Sequence, residues 1–352
     1  MSYKNEKKEK KTKKWHAYAL LFLLFIVVGG VGSYIMYYTY GIKKATIKEG
    51  VLYVPTATTF SEQAALLQNN GFIKDSSDYV VFAKKLGYDR VKAGRYEIED
   101  GWSLKQLYRV LGGGLQSPVM VSFNNIRNFD KLAGVVSKKI EADSASLMAA
   151  FLADSIHTKY GFDSQNFMSM FIPNSYEFYW NTSAQGFVER MNREYNSFWS
   201  KNDREKKAKE LNMTPQEVSV LASIVIEESK AAVEFKRIAG VYINRLKRNM
   251  LLQADPTVKF AMGDMTIKRV LFKHLEYDSP YNTYKYAGLP PGVLCMPPIS
   301  AIDAVLNYEN HDYLYFCASD KLDGTHLFAR TLSEHNRNAA RYSAALNRLK
   351  IY

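Results

Sequence analysis

Two adjacent carboxylates end the stretch LASIVIEESK (221–230), in which six of the first seven residues are apolar or small. A carboxylate sheltered from water resists ionisation, and near neutral pH it can give up a proton and take one back. Either Glu227 or Glu228 could be such a group. The preceding residues supply a helix start. Thr214 is an N-cap candidate, Pro215 suits the first turn, and Glu217 completes a capping box. With about 100° per residue and Leu221 at zero, Ile224 lies near 300°, Val225 near 40° and Val218 near 60°. Glu228 falls near 340°, inside that apolar arc, and Glu227 near 240°, at its edge. Glu228 is therefore the carboxylate aimed inward, and Glu227 reads as a surface charge. Three explanations fit an inward acid. It pairs with a buried cation such as Arg237 or Arg245, it sits where the helix end opens to solvent, or it lines a cleft with its pKa raised.

The elements that would position it form an α+β chain of 352 residues. The first fourteen residues hold seven Lys and two Glu and read as a basic cytoplasmic tail. Ala17 to Tyr38 carry no charge, and Trp15 and a group of tyrosines flank them. Residues 15–40 therefore read as a single transmembrane helix, long enough for a hydrocarbon core of about 30 Å. A cleaved signal peptide is the competing reading, against which stand the length of the apolar run and the absence of a small-residue cleavage site. The basic tail places the N-terminus inside and the remainder outside the cytoplasmic membrane, on its periplasmic or extracytoplasmic side. There, ATP and nicotinamide chemistry is disfavoured, and GGGL (112–115) lacks the Lys-Ser/Thr of a phosphate loop. The net charge of +12 suits an anionic surface, but the basic residues cluster only at the N-terminus, so no nucleic-acid partner is expected. Six scattered histidines and the lack of CxxC or HExxH argue against a metal. Cys295 and Cys317 read as buried thiols, with a disulfide as the alternative in an oxidising compartment.

Residues 46–123 read as a small α/β module. Strands are expected at 51–55, 93–101 and 119–123, and helices at 62–70 (capped by Ser61), 75–88 and 103–114. Residues 124–352 read as a larger mixed α+β domain, with helical patterns at 129–141, 144–154, 186–200, 214–230 and 333–350, the last opened by Ser333. The Lys-rich stretch 200–213 reads as a solvated face. Between 250 and 330, Pro, Gly and Tyr are denser, the usual setting of a cleft built from short strands and loops.

The sequence around Glu228 resembles the ASIVEKET-type segment of the YceG-like family. The likeness continues in order through AGVYINRLKRNMLLQADPTVKFAMG (239–263), SPYNTYKYAGLPPG (279–292), YLYFCAS (313–319) and DGTHLFARTLSEHN (323–336). Upstream, AGRYEIEDGWSLKQLYRVLGGG and FIPNSYEFYW (171–180) are similar to the family's LysM-like module and P-[DN]-[TS]-Y stretch. Two positions depart from the pattern: Ile226 stands where an acid is common, and CMPP (295–298) replaces an N-P-G or T-P-G. The resemblance implies a membrane-anchored lytic transglycosylase acting on peptidoglycan glycan strands, without cofactor. Glu228 aligns with the family's catalytic glutamate. The implied substrate contacts are Gln253, Asp255, Tyr281, Asn282, Tyr284, His326 and Asn336. Their simpler readings are turn formers and core aromatics, and His335 and Asn336 are also candidates to brace the last helix. Residues 289–292 read as a rigid loop wall. Peptidoglycan synthases are possible partners under this reading. The competing classes are a non-catalytic peptidoglycan-binding protein, a scaffold of the wall-building machinery, and a water-using hydrolase with Asp255 as second acid.

Overall fold

The computed structural model describes residues 2–88 and 90–349, with the backbone alone for residues 2–13. It is a mixed α+β chain that divides into two compact units: residues 1–119 with 179–181, and residues 120–178 with 182–352. The first helix, α1 (Ser2–Tyr37), runs into a wider turn at Tyr38–Ile42. Across the helix and this turn, Lys14–Ile42 is long and apolar enough to cross a membrane. Its side chains are exposed in the protein itself, as an apolar surface awaiting a lipid solvent would be.

In the first unit, β1 (Gly50–Val54) pairs antiparallel with β2 (Gly94–Ile98), Leu52 facing Tyr96 in register. Side chains alternate along both strands, so Leu52, Val54, Tyr96 and Ile98 turn to one face and are buried. Helices α2 (Phe60–Asn69), α3 (Ser77–Lys85) and α4 (Leu104–Gly113) cover that face with Leu67, Tyr79, Phe82, Leu107 and Leu111. Two capping boxes start α2 and α4. The first is built on Thr59, two residues before the expected Ser61, and the second on Ser103. The strand at 119–123 does form, as β3 (Val119–Ser122), but it does not join this sheet. It pairs with β4 (Ser175–Phe178), and residues from Met120 onward belong to the second unit. Alternation fixes which face a strand buries, not which partner it takes.

The second unit opens with α5 (Phe129–Val136), α6 (Ser144–Phe151), α7 (Asp154–Lys159) and, beyond β4, α8 (Ala184–Trp199). Phe151, Phe167, Phe171 and Phe187 pack together between them, fully buried. The Lys-rich stretch is not simply solvated. Its short helix α9 (Arg204–Glu210) buries Ala208 and Arg204, and Arg204 makes paired bonds of 2.8 and 3.0 Å to Asp303 over the Phe198 ring.

At the centre lies α10 (Pro215–Glu228), with the expected Thr214 capping box. Every residue from Val218 to Val225 is buried, so this helix is enclosed on all sides rather than along one stripe. It packs against α11 (Phe235–Lys247), α12 (Asp255–Ala261) and α14 (Ile299–Leu306). Its two buried serines are satisfied. Ser219 donates to the Pro215 carbonyl, and Ser223 donates to Val220 while accepting the Leu294 N–H at 3.0 Å. A short helix, α13 (Phe272–Leu275), lies between α12 and α14 in sequence. The chain ends in an antiparallel pair, β5 (Tyr315–Ala318) and β6 (His326–Ala329), and in α15 (Leu332–Arg348), capped by Thr331 rather than Ser333.

Candidate active site

Glu228 is the last residue of α10. Its carboxyl is partly buried at the edge of a cavity of about 270 Å³. The hydroxyl of Tyr242, itself buried on α11, donates to Glu228 Oε1 at 2.6 Å. Loss of hydration pushes the Glu228 pKa up to about 7, against the opposing pull of the Tyr242 hydrogen bond, and the negative charge of Asp255 adds to the rise. The helix C-terminus, where backbone carbonyls gather, disfavours a carboxylate in the same direction. Of the three explanations for an inward acid, the ion pair is the one the structure removes. Arg237 is bound to Glu309 at 3.0 Å. Arg245 is buried, and spends its donors on the carbonyls of Leu314 and Leu252 (2.6 and 2.9 Å) and on Gln253 Oε1 (3.3 Å). Arg245 therefore lies beneath the cavity as a fixed positive charge that ties two loops together.

The loop between α11 and α12 reaches the cavity at Gln253 and Asp255. Gln253 is held at φ 51°, a left-handed conformation uncommon for a residue with a side chain. Its backbone N–H donates to the Thr283 carbonyl, and the next residue is tied by Ala254 N–H to Thr283 Oγ1 at 3.0 Å. Asp255, first in α12, accepts from the Tyr284 hydroxyl at 2.6 Å, and Tyr284 also lines the cavity. Four segments, α10, α11, α12 and the loop at Tyr284, thus set two carboxyl–tyrosine pairs into one opening.

His326 completes the wall from β6. Its Nδ1 lies 2.8 Å from Glu234 Oε2, and its backbone N–H donates to Glu234 Oε1 at 2.9 Å. Phe316 stands edge-on to the imidazole, with ring centroids 5.3 Å apart. Cys317, next along β5, lines the opening as well; its thiol is half-buried, and burial raises its pKa. Cys295 is buried elsewhere, and both cysteines are free thiols.

Three expected contacts lie outside the cavity. Asn282 is fully buried, its amide donating to the carbonyls of Leu275 and Tyr277 and its oxygen accepting the Tyr284 N–H. It knots the loop that presents Tyr284. Tyr281 packs against Phe260, with ring centroids 4.8 Å apart. Asn336 is exposed on α15, whereas its neighbour His335 lies over the Tyr315 ring at 5.5 Å. Helical geometry separates adjacent residues by about 100°, so only one of this pair can face the strands. The 289–292 loop is not a cavity wall either. A side chain at Gly292 would run into the Gln165 carbonyl and the Tyr281 hydroxyl, and the following residues brace α10 through Leu294.

Glu227 departs furthest from its reading as a surface charge. Only 11% of its side chain is exposed, and both carboxylate oxygens accept from Arg127 Nη2, at 2.7 and 2.9 Å. Tyr242, Glu234, Phe316 and Cys317 had no place among the sequence candidates. Tyr242 lies just ahead of the Asn-Arg-Leu block, two residues before Asn244, and that position was its one signal.

A profile of the YceG-like family matches residues 52–341. An endolytic murein transglycosylase of Bacillus subtilis (strain 168) is 28% identical over 310 residues, covering 84% of this chain and 85% of the relative. A protein of the same name from Streptococcus pneumoniae serotype 2 (strain D39 / NCTC 7466) is 27% identical over 323 residues, 82% of this chain but 57% of the longer relative. The crystal structure of a YceG-like protein from Listeria monocytogenes superposes with a TM-score of 0.53 at 26% identity, over 82% of this chain and 98% of that one. An acid at the end of an enclosed helix, facing a cavity shared with a second carboxyl, thus occurs in a chain whose sequence and fold both match one family over most of their length: the protein belongs to the YceG-like family.

Proposed function

We propose that this protein is an endolytic lytic transglycosylase that cuts peptidoglycan glycan strands between N-acetylmuramic acid and N-acetylglucosamine, with Glu228 as the single acid and base. One observation carries the assignment of roles: Glu228, with a pKa pushed up to about 7 and no cationic partner in salt-bridge range among the described residues, faces a cavity able to take sugars. Near neutral pH both its forms are populated, as a group that first donates and then accepts requires. Protonated Glu228 gives its proton to the bridging oxygen as the C1–O4 bond breaks. The muramic acid's own C6 hydroxyl attacks C1, and the Glu228 carboxylate takes the hydroxyl proton. No water is consumed, and the product ends in a 1,6-anhydro ring. The nucleophile is tethered to the reacting sugar, and that proximity replaces the second catalytic carboxylate of most glycosidases.

The remaining cavity groups serve binding. Gln253, Asp255, Tyr284 and His326 offer donors and acceptors to sugar hydroxyls and acetamido groups. A water-using hydrolase is the second reading, and it rests on Asp255 lying in the same cavity. The Tyr284 hydroxyl already occupies an oxygen of Asp255 at 2.6 Å, which suits a binding residue better than one that must hold an attacking water. In this proposal α1 anchors the protein in the cytoplasmic membrane with the enzyme outside. The first unit acts as a LysM-like module on the glycan, and the anchor keeps the enzyme beside the synthases that make new strands. Digestion of purified sacculi, with products resolved by mass spectrometry, tests the chemistry. The wild type should yield anhydro-muramyl ends that Glu228→Gln does not. Reducing ends would favour the hydrolase, and normal turnover by folded Glu228→Gln would remove Glu228 from the mechanism.

A further inference from the structure

Glu234 is almost fully buried, 6% exposed, in the short turn between α10 and α11. It makes no ion pair with Lys or Arg among the described residues. Its carboxylate instead meets three groups: the His326 ring nitrogen Nδ1 (2.8 Å), the His326 backbone N–H (2.9 Å) and the Ser229 hydroxyl (3.3 Å). A carboxylate only accepts, so the proton between it and the ring belongs on Nδ1. Two bonds to the same residue, one to its backbone and one to its ring, also fix the ring's rotation. Phe316 closes the edge-on side. In the neutral imidazole, the other nitrogen, Nε2, is then left as an acceptor, on a residue that lines the cavity of Glu228. Among the described residues, no hydrogen bond occupies Nε2.

We propose that Glu234 is a positioning residue that locks His326 in the Nδ1–H tautomer, so that Nε2 accepts a hydrogen bond from a neutral donor of the glycan strand, a sugar hydroxyl or an acetamido N–H. The inference rests on the transglycosylase reading and assigns His326 to strand binding rather than to proton transfer. The Glu234→Gln substitution separates the two. The oxygen of the new carboxamide can still accept the His326 backbone N–H, but its NH₂ group would then donate to Nδ1 and move the ring proton to Nε2. The acceptor facing the cavity would become a donor.

The test measures nitrogen-15 shifts of the His326 ring in the full-length protein, at mildly alkaline pH, together with steady-state kinetics on soluble uncrosslinked glycan strands. The wild type should show a protonated Nδ1 and a bare Nε2, with the reverse in Glu234→Gln. The variant's KM should rise about tenfold while kcat stays within about threefold, the pattern of lost uniform binding. Its products should still carry 1,6-anhydro ends. A wild-type ring protonated on Nε2 overturns the proposal without any variant. So does a Glu234→Gln enzyme with unchanged KM, or one whose kcat alone collapses. Wild-type products without anhydro ends would instead defeat the underlying transglycosylase reading.

Discussion

The last turn of α10 holds two neighbouring acids in opposite circumstances. Toward Arg127 and Cys295, Glu227 is matched by a guanidinium, and its charge is part of the packing. Toward Tyr242 and Asp255, Glu228 has a hydroxyl for a partner and another acid for company. One peptide bond separates a charge the fold stabilises from a charge the fold resists. Burial therefore does not separate the two, because both are sheltered; the guanidinium that Glu227 has and Glu228 lacks does.

The comparison breaks first at Glu228→Gln. Loss of the proton carrier should cut turnover by about 10³-fold, within the range for removal of a general acid. The same change should make the protein more stable. A folded-state pKa raised from 4.5 to about 7 means that stability is fully present below pH 4.5 and lost as pH rises through about 7. At neutral pH that loss is about 3 kcal/mol, and the neutral glutamine escapes it. Thermal melts should show the variant melting higher at pH 7, with the gain vanishing below pH 4.5. Equal melting of both proteins at neutral pH would deny that Glu228 is a resisted charge.

Glu227→Gln should act in the opposite sense. It strands a half-buried guanidinium and should cost about 1–2 kcal/mol, less than a fully buried pair because Arg127 retains contact with water. Denaturant titration would register the cost, while the folded fraction should keep its per-molecule turnover. A Glu227 variant with native stability and crippled catalysis would reverse the roles assigned to the two acids.

The smallest effects concern tuning. The Tyr242 hydroxyl favours the Glu228 carboxylate, so Tyr242→Phe should move the alkaline limb of the pH–rate profile upward. Asp255 disfavours that carboxylate, so Asp255→Asn should move the limb downward. Opposite displacements by two uncharged replacements would show that one acid governs the limb. Displacement in the same direction would point to a different group.

The amino-acid sequence carried the position of α10, its Thr214 cap and the inward direction of Glu228, because these follow from local spacing. It also placed most helices and both strands of the small sheet within a few residues. It failed wherever a partner had to be known. Glu227 lies on the edge of the apolar arc, but its environment depends on Arg127, a hundred positions earlier. The strand at 119–122 has a legible pattern and an illegible neighbour. Asn282 and Tyr284 stand two residues apart in one motif, yet one ties the loop and the other faces the cavity. Periodicity gives a side chain's direction, and what it meets there is settled by distant segments.

The close approach of α11 to the loop at 309–311 has a consequence for inheritance. A methyl group at Gly240 would lie 2.5 Å from the Glu309 carbonyl and 2.7 Å from the His311 ring. Asn244, one turn on, is tied to the His311 and Tyr313 carbonyls of the same segment. Tyr242 sits between these two anchor points on the helix. Drift at residue 240 would thus be read out at Glu228 through Tyr242, and a lineage that kept Glu228 but lost Gly240 would carry an intact acid in a cavity out of register.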